Sequence, residues 1–379
     1  MPASKSLSNR ALIMRRLSGG RITIHNLSMA DDTRLLEGHL HQISHEQQGS
    51  EPLTLDCKNA GTVLRFLTPF LSITPGNWNL CGSPRMLERP VGPLVEALNK
   101  LGAEISYTGT PGYPPLLIRG RQIEGGTVSI DAGISSQFIS ALLLTAPVLR
   151  NGMTLMLEGR ISSRPYILMT LELLRLAGIA SDFRSNVISI GPQEFAPFDI
   201  TIEPDWSSAA FWYELLALAK SGELFLEGLL AQSLQGDAIL HKVFGPLGVS
   251  TSFEREGARL KKVGTTVSAF EWDFNDHPDL AQAVIATCAG LGIPSRFTGL
   301  ESLRIKETDR LLALRKELTK TGAILEQEGT SGLILTPGDP LPEESKAVPI
   351  FASHGDHRMA MALAPLSMIT GEVELTDPE

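Results

Sequence analysis

The sequence predicts a mixed α/β (α+β) fold built from repeated units and divided into two domains of three units each. The strongest observation is a recurring pattern: a short strand, a polar turn, an apolar helix, a strand opened by glycine, and an amphipathic helix. Copies begin at Thr54, Val128, Ile200, Phe270 and Val348, and each predicts βαβα followed by one or two closing strands. The length of 379 residues also exceeds what one hydrophobic core usually supports.

The two ends of the chain differ from the other copies. The first copy opens at residues 2–17 without a leading strand, and the sixth stops at residues 371–379, directly after its glycine-opened strand. We therefore expect a chain shortened at both ends and lacking a final helix of roughly 15 residues. The alternative is that the terminal repeats are atypical, as capping repeats often are. Because each unit needs a partner surface, six units favour two domains with a boundary between Pro204 and Trp206.

Composition argues against several classes of protein. The net charge of −9 disfavours an extended nucleic-acid surface, which needs a broad basic footprint. No apolar run reaches the roughly 18 residues of a membrane span, and the N-terminus is too polar for a signal peptide. We therefore expect a soluble, cytoplasmic protein. Cys57, Cys81 and Cys288 lie far apart without paired spacing, which disfavours disulfides and zinc sites.

In each copy the polar turn comes directly before an apolar helix, so its residues occupy a helix N-terminus. Ordinary capping explains any one such turn. Six equivalent helix starts, however, would direct their N–H groups toward common regions that attract phosphates and carboxylates. Cations also lie in or beside these motifs, although the protein is acidic overall: Lys5, Arg10, Arg65, Arg85, Arg89, Lys306, Arg310 and Arg358. This concentration predicts a basic cleft for highly anionic ligands.

The segment RIKETDR, residues 304–310, is the sharpest single motif. On a helix, Lys306 and Arg310 would stand four residues apart, with Glu307 facing an adjacent direction. Asp279 lies in the first turn of the helix after HPD, where a carboxylate complements the helix dipole or, beside several cations, acts as a catalytic base.

Motifs for other chemistries are missing. The sequence contains no nucleophile elbow, Walker or dinucleotide glycine pattern. His354 and His357 have the only spacing that resembles a metal site, but they lie in a glycine-containing turn that is typical of capping. We therefore expect neither a metal nor an organic cofactor.

Taken together, the motifs resemble those of a known family. The 5-enolpyruvylshikimate 3-phosphate synthases share the order and approximate spacing of SKSLSNRAL, NAGTVLRFL, GSPRMLERPVGPLVEAL, SSQFISALLLTAP, RPYI, HPDLA, RIKETDRL and GDHRMAMALA. The resemblance implies the enolpyruvyl transferase fold: two domains, each of three βαβαββ units, with a substrate cleft between them. It places an N-terminal domain that binds shikimate 3-phosphate at residues 4–204. Residues 1–3 and 205–379 would form the second domain, without its leading strand and final helix.

The resemblance also implies which residues bind substrates and move protons. Positions matching those that hold shikimate 3-phosphate are Lys5, Ser6, Arg10, Ser135, Ser136, Gln137, Ser163, Tyr166, Asp279, Ser302 and Lys306. Positions matching those that hold phosphoenolpyruvate are Lys5, Asn59, Gly61, Arg89, Gln137, Arg310 and Arg358. Asp279, Glu307 and Lys5 match the proton-transfer groups, and the choice between Glu307 and Lys5 as proton donor stays open.

The implied reaction is an addition followed by an elimination, within the shikimate pathway to chorismate and the aromatic amino acids. C3 of phosphoenolpyruvate is protonated, the 5-hydroxyl of shikimate 3-phosphate attacks C2, and the tetrahedral adduct expels phosphate. A monomer is expected, and the phosphoenolpyruvate mimic glyphosate is a candidate inhibitor. Two positions depart from the family pattern: Ser302 stands where many members have Asn, and Phe66 where many have Pro.

Two rival interpretations stay open at this stage. Transferases that act on UDP-N-acetylglucosamine use a reactive cysteine in the loop matching PRMLERP, and that loop contains none here. The other rival is a catalytically impaired, truncated paralogue that binds anionic ligands without turnover. Phosphate release that depends on both substrates distinguishes the main interpretation from both rivals.

Overall fold

The computed structural model of the protein describes residues 1–45, 51–338 and 348–376. The chain forms two compact units: an N-terminal unit, Pro2–Glu203, and a C-terminal unit, which comprises Met1 and Pro204–Glu379. Residues 2 and 3 therefore lie with the N-terminal unit and Pro204 with the C-terminal unit, a small difference from the expected domain limits. None of the helices in the described ranges combines the length and apolar character needed to cross a membrane.

The N-terminal unit contains the first six helices and ten strands of the described chain. Its helices are α1 (Lys5–Leu17), α2 (Asp31–His45), α3 (Gly61–Ile73), α4 (Gly92–Lys100), α5 (Ser136–Thr145) and α6 (Arg164–Leu176). Its strands are β1 (Ile22–His25), β2 (Leu53–Asp56), β3 (Gly76–Cys81), β4 (Glu104–Tyr107), β5 (Leu116–Gly120), β6 (Gly126–Asp131), β7 (Met153–Glu158), β8 (Asp182–Arg184), β9 (Val187–Ile190) and β10 (Phe198–Thr201).

The remaining elements of the described chain belong to the C-terminal unit. Its helices are α7 (Trp206–Leu218), α8 (Leu240–Phe244), α9 (Ala281–Gly290), α10 (Arg310–Leu318), α11 (His357–Leu363) and α12 (Ser367–Thr370). Its strands are β11 (Glu223–Glu227), β12 (Val249–Glu254), β13 (Gly257–Lys262), β14 (Phe270–Asp273), β15 (Ser295–Thr298), β16 (Ile324–Glu328), β17 (Gly332–Thr336), β18 (Ile350–Ala352) and β19 (Glu374–Thr376).

Three sheets in the described residues repeat one topology. Their strand orders are β2-β3-β5-β4, β6-β7-β9-β8 and β14-β15-β17-β16. In the first of them, β2 and β3 are parallel, whereas β5 is antiparallel to both β3 and β4. A parallel pair needs a crossover connection, which α3 supplies, while the two closing strands pair as antiparallel neighbours. The element order β2-α3-β3-α4-β4-β5 is therefore the βαβαββ unit that the sequence predicts.

The partner of β10 differs from the repeat alignment made on the sequence. In the repeat alignment, the strand near Ile200 is the first strand of the copy that contains α7. In the structure β10 belongs to the N-terminal unit and pairs in parallel with β1, with Ile24 opposite Ile200. The first copy therefore has a strand in the leading position, supplied by a distant part of the chain. A local pattern of strand, turn and helix does not reveal which neighbour the strand pairs with.

The apolar helices of both units are buried on nearly all sides, as expected for helices without a polar face. In the N-terminal unit α1, α3 and α5 pack against one another, and in the C-terminal unit α7, α9 and α11 do the same. Every residue of α9 from position 281 to position 288 is buried. The sequence motifs lie at the N-termini of these helices, so the helix packing brings the motifs of each unit together.

Candidate active site

The first site is at the start of α3 in the N-terminal unit. Ala60 precedes the helix and provides no side-chain cap, so the first N–H groups of α3 are available to a ligand. Two guanidinium groups converge on this helix start: a Cβ placed on Gly61 would lie 2.5 Å from Arg89 Nη2 and 2.9 Å from Arg65 Nη1. Arg89 Nη1 also donates to the Asn59 carbonyl at 2.9 Å. A helix N-terminus beside two guanidinium groups is an anion-binding arrangement.

Arg65 is one of the cations from which the sequence predicts a basic cleft, but it was not assigned to either substrate. Its Nη1 donates to Gln137 Oε1 at 2.6 Å, and its guanidinium lies over the Phe138 ring, 5.3 Å from the centroid. Gln137 Nε2 in turn donates to Thr62 Oγ1 at 3.3 Å. Arg65 thereby joins the start of α3 to the start of α5. The available signal was its position four residues after Gly61, one helical turn along.

Arg10 lies inside the N-terminal unit, with 2% of its surface exposed. Its Nε donates to Thr170 Oγ1 at 2.8 Å, its Nη1 to the Ser6 carbonyl at 2.8 Å, and its Nη2 to Ser140 Oγ at 2.9 Å. Burial lowers the pKa of Arg10 to about 10, which still leaves it charged near neutral pH. The side chain predicted to contact shikimate 3-phosphate therefore holds α1, α5 and α6 together.

Hydroxyl groups lie at the starts of α5 and α6. Ser135 caps α5 by accepting a hydrogen bond from the Gln137 N–H at 3.3 Å, and Ser136 is buried. Ser163 precedes α6 in the left-handed conformation, with φ 54° and ψ 42°. Its side chain makes no capping bond, so its hydroxyl is not committed to the helix backbone.

Three other predicted residues complete the N-terminal set. Lys5, at the start of α1, has its Nζ 3.2 Å from Asp32 Oδ2. The Oδ1 atom of Asn59 is buried and accepts no hydrogen bond from the residues that the structure describes. Tyr166 directs its carbonyl toward the Arg10 guanidinium, Ser140 and the Thr170 hydroxyl.

A second set of predicted residues surrounds Arg310 in the C-terminal unit. The Arg310 guanidinium is 2% exposed and contacts three carboxylates. Its Nε donates to Asp356 Oδ2 at 2.7 Å and its Nη2 to Glu307 Oε2 at 2.8 Å, and its Nη1 lies 3.4 Å from Asp279 Oδ1. Burial alone would lower the pKa of Arg310, but the three carboxylates raise it above its ordinary value. This arginine therefore organises the cluster.

Asp279 is the carboxylate on which the cations meet. Lys306 Nζ lies 3.3 Å from its Oδ1, and Arg358 Nη2 lies 3.5 Å from its Oδ2. Arg358 Nη1 also donates to the Asp279 carbonyl at 3.2 Å. Burial lowers the pKa of Lys306, although Asp279 opposes this shift. A partly exposed carboxylate can accept a hydrogen bond and then a proton from a ligand hydroxyl, and the three cations beside it can stabilise negative charge that develops on a bound ligand.

The segment RIKETDR does not form the single helix expected from its spacing. Residues Glu301–Ile305 form a short 3-10 helix, Lys306 is extended, and α10 begins only at Arg310. Asp309 ends the irregular stretch because its side chain accepts a hydrogen bond from the Leu312 N–H at 3.1 Å. Lys306 and Arg310 reach Asp279 from a turn and a helix start, so their convergence does not depend on helical spacing.

The remaining residues named from the sequence in the C-terminal unit are Ser302, His354 and His357. The buried Oγ of Ser302 has no hydrogen-bond partner in the described part of the chain. Asp356 caps α11 through the Arg358 N–H at 2.9 Å, while His354 contacts Glu317 rather than His357. Across residues 1–45, 51–338 and 348–376, no group of three or more His, Cys, Asp or Glu side chains is arranged to hold a metal ion.

Comparison with known proteins places this arrangement in a family. A sequence profile of EPSP synthase (3-phosphoshikimate 1-carboxyvinyltransferase) matches residues 1–379. A 3-phosphoshikimate 1-carboxyvinyltransferase of Bacteroides fragilis is 44% identical over 380 residues, which cover 100% of this chain and 90% of that protein. One from Shewanella pealeana is 34% identical over 400 residues, covering 100% of this chain and 92% of that protein.

The fold comparison agrees. An EPSP synthase structure from Acinetobacter baumannii superposes with a TM-score of 0.74 at 21% identity, covering 100% of this chain and 90% of that one. This likeness confirms the predicted fold class. With a family profile that spans the chain and relatives at 44% and 34% identity, the chain belongs to the EPSP synthase family.

Proposed function

We propose that this protein transfers the enolpyruvyl group of phosphoenolpyruvate to the 5-hydroxyl of shikimate 3-phosphate and releases phosphate. The reaction is a step of the shikimate pathway, which supplies chorismate and the aromatic amino acids. The observation that carries the proposal is the cluster around Asp279, in which one carboxylate contacts Lys306, Arg310 and Arg358 in a chain of this family.

For shikimate 3-phosphate, the supporting groups in the N-terminal unit are the hydroxyls and helix starts of α5 and α6. Ser135, Ser136, Gln137, Ser163 and Tyr166, together with Lys5 and Ser6, would hold its phosphate and hydroxyl groups, because N–H groups at helix starts and serine hydroxyls donate to phosphate oxygens. We assign Arg10 a positioning role, since its guanidinium nitrogens already bond to protein groups. In the C-terminal unit Asp279, Ser302 and Lys306 are assigned to the same substrate.

Phosphoenolpyruvate carries a carboxylate and a phosphate, so it needs several cations. In the N-terminal unit we assign Lys5, Asn59, Gly61, Arg89 and Gln137 to it, and we add Arg65 because its guanidinium lies beside Gly61. In the C-terminal unit we assign Arg310 and Arg358. Guanidinium groups suit this ligand because their planar fork matches carboxylate and phosphate oxygens.

The addition step of the proposed chemistry requires two proton transfers. Asp279 accepts the proton of the 5-hydroxyl as the oxygen bonds to C2 of phosphoenolpyruvate, and a proton is delivered to C3 by Glu307 or Lys5. In the elimination a proton returns from C3 to the group that delivered it as the C2–O bond to phosphate breaks, which restores the double bond, and the proton held by Asp279 leaves with the released phosphate. The guanidinium and ammonium groups would stabilise the phosphate charge as it develops.

The rival acceptor, UDP-N-acetylglucosamine, has little support. The loop that matches its reactive-cysteine loop, residues 84–90, contains no cysteine. Cys57 and Cys288 are buried, and burial raises the pKa of both thiols, to about 12 for Cys288. A thiol with a raised pKa is a poor nucleophile near neutral pH.

Steady-state phosphate release tests the proposed function. We expect release only when both phosphoenolpyruvate and shikimate 3-phosphate are present, and we expect none when UDP-N-acetylglucosamine replaces the second substrate. Mass spectrometry of the product provides an independent identification of the enolpyruvyl ether. Phosphate release at the same rate without shikimate 3-phosphate would show a phosphatase and reject the transfer reaction.

A second test uses Gly61→Ala. The new Cβ would lie 2.5 Å from Arg89 Nη2 and 2.9 Å from Arg65 Nη1, so both guanidinium groups must move away from the start of α3. We expect KM for phosphoenolpyruvate to rise about 10- to 100-fold, the effect of weakening one or two charge-assisted hydrogen bonds. Inhibition by glyphosate should weaken in parallel, and KM for shikimate 3-phosphate should change by less than about threefold.

Gly38→Ala is the matched control for that substitution. Gly38 lies within α2 and its φ is not left-handed. In the described structure, no atom beyond its chain neighbours and the backbone of its own helix lies within 4 Å of a Cβ placed on it. Alanine there should leave both KM values unchanged and slightly stabilise the helix. An unaltered KM for phosphoenolpyruvate in Gly61→Ala would remove Arg65 and Arg89 from the proposed site.

A further inference from the structure

Glu317, near the C-terminal end of α10, has a fully buried carboxylate that none of the proposed chemical steps uses. Three donors surround it. His354 Nε2 lies 2.8 Å from its Oε1, while the Ala352 N–H at 3.0 Å and Lys320 Nζ at 2.5 Å reach its Oε2. Burial raises the pKa of this carboxyl, but the three hydrogen bonds outweigh burial and hold the pKa of Glu317 below its ordinary value. The buried group is therefore an ionised carboxylate with its charge compensated locally.

Of the three donors, His354 belongs to the segment that leads from β18 into α11, residues 353–356, and Ala352 is the last residue of β18, directly before it. This segment ends at Asp356, the cap of α11, and Arg358 follows in the first turn of that helix. Helix α10 holds the segment at two points: Arg310 binds Asp356, and Glu317 binds His354 and Ala352. Arg310 and Glu317 are about 10 Å apart along the helix, at a rise of about 1.5 Å per residue. Two such widely spaced attachments to one rigid helix restrict both translation and tilt of the segment.

The backbone of this segment needs such support. His354 has φ 56° and Gly355 has φ 65°, so two consecutive residues adopt the left-handed conformation. Glycine adopts it without strain, whereas a histidine there has a conformational cost that tertiary contacts must offset. The hydrogen bond to Glu317 is the contact that His354 makes from this position.

We propose that Glu317 and His354 form a clamp that positions Asp356 and Arg358, and that the clamp thereby sets the affinity for phosphoenolpyruvate. Both are positioning residues, because they act through the segment and touch no substrate in the assignment above. The proposal rests on the proposed function, in which Arg358 binds phosphoenolpyruvate. It adds two residues to the determinants of that site, at positions outside the family motifs.

The test compares two substitutions of the same histidine. Asparagine tolerates the left-handed conformation but is too short to reach Glu317, so His354→Asn removes the contact and retains the backbone preference. His354→Gln extends an amide N–H toward the carboxylate. We expect KM for phosphoenolpyruvate to rise about tenfold in His354→Asn and in Glu317→Gln, because small displacements of a positioning group weaken ligand contacts. His354→Gln should recover most of the affinity, and KM for shikimate 3-phosphate should stay within about twofold in all three.

Lys320→Met is the control for a purely structural role. Lys320 bonds the same carboxylate, but its other partner is the Ile350 carbonyl on β18 rather than the segment of residues 353–356. We expect this variant to melt at a lower temperature while both KM values stay within about twofold. Hydrogen exchange of residues 352–358 in the ligand-free protein should become faster in His354→Asn than in Lys320→Met.

The outcomes separate the clamp from the function on which it rests. An unchanged KM for phosphoenolpyruvate in His354→Asn, or equal rises in both KM values, overturns the clamp. Absence of turnover in the unsubstituted protein counts against the proposed function instead. In that event, hydrogen exchange that is equally fast in His354→Asn and Lys320→Met rejects the clamp without reference to catalysis.

Discussion

Replacing Asp279 with asparagine is expected to lower kcat by roughly 10²- to 10⁴-fold, the usual contribution of a positioned general base. Asparagine keeps the size of the side chain but cannot accept the 5-hydroxyl proton. It also directs an NH₂ group toward cations that now contact Oδ1 or Oδ2, Lys306 at 3.3 Å among them. Binding of shikimate 3-phosphate should change far less than kcat, because other groups hold that substrate. Calorimetry for binding and phosphate release for turnover measure the two effects separately.

Asp279 lies in a short 3-10 helix, Pro278–Leu280, and Asp276 comes shortly before that helix. Asp276→Asn is therefore the matched control. Asp276 Oδ1 accepts a hydrogen bond from Asn275 Nδ2 at 3.0 Å, which an asparagine oxygen can still accept. Turnover of this variant should stay within about threefold of the unsubstituted protein. An Asp279→Asn protein that retains more than about a tenth of its turnover would exclude Asp279 as the base, since that role contributes at least ~10²-fold.

Local periodicity was sufficient to predict the repeated fold. The alternation of strands and apolar helices identifies βαβαββ units because each element has its own hydrophobic period, and no long-range information is needed. The pairing of β10 with β1 was not predictable in this way. A strand can form the same backbone hydrogen bonds with any strand that lies beside it, so its own sequence does not identify its partner. The helical spacing assigned to RIKETDR failed for a related reason: Asp309 is a strong N-cap, and its capping bond starts α10 after Lys306 instead of before it.

The site could be predicted only where its residues lie in motifs. Gly61 and Asp279 follow recognisable turns, and the structure places each beside cations. The contact of Glu317 with His354 joins positions 37 residues apart, and nothing in either local pattern indicates it. The burial of charged side chains could not be predicted from the sequence either, because a charged residue in a motif is usually exposed unless it is paired. The unpredicted burial has its largest consequence at Arg310, which is 2% exposed.

Arg310→Met is expected to destabilise the protein by about 3–5 kcal/mol, the usual effect of removing one partner of a buried ion pair. The guanidinium is 2% exposed, and the side chain of its partner Asp356 is completely buried. Methionine is unbranched and fills the path of the arginine stem, so most of the loss reflects carboxylates left without their cation. From the sequence alone, the same substitution should mainly weaken phosphoenolpyruvate binding. The burial of the ion pair in the structure predicts that the substitution also lowers the stability of the folded protein, whether or not a ligand is bound.

Urea denaturation followed by tryptophan fluorescence measures this loss, because three of the four tryptophans, Trp206, Trp212 and Trp272, lie in the C-terminal unit. Lys316→Met is the control on the same helix: Lys316 is exposed, and its loss should change the free energy of unfolding by less than about 0.5 kcal/mol. Asp356→Asn provides the complementary change. If Arg310 and Asp356 compensate each other, the double variant should be less destabilised than the sum of the single variants. Additive effects would show that the pair with Asp356 is not the source of the lost stability. An Arg310→Met protein as stable as Lys316→Met would show that Arg310 does not stabilise the fold.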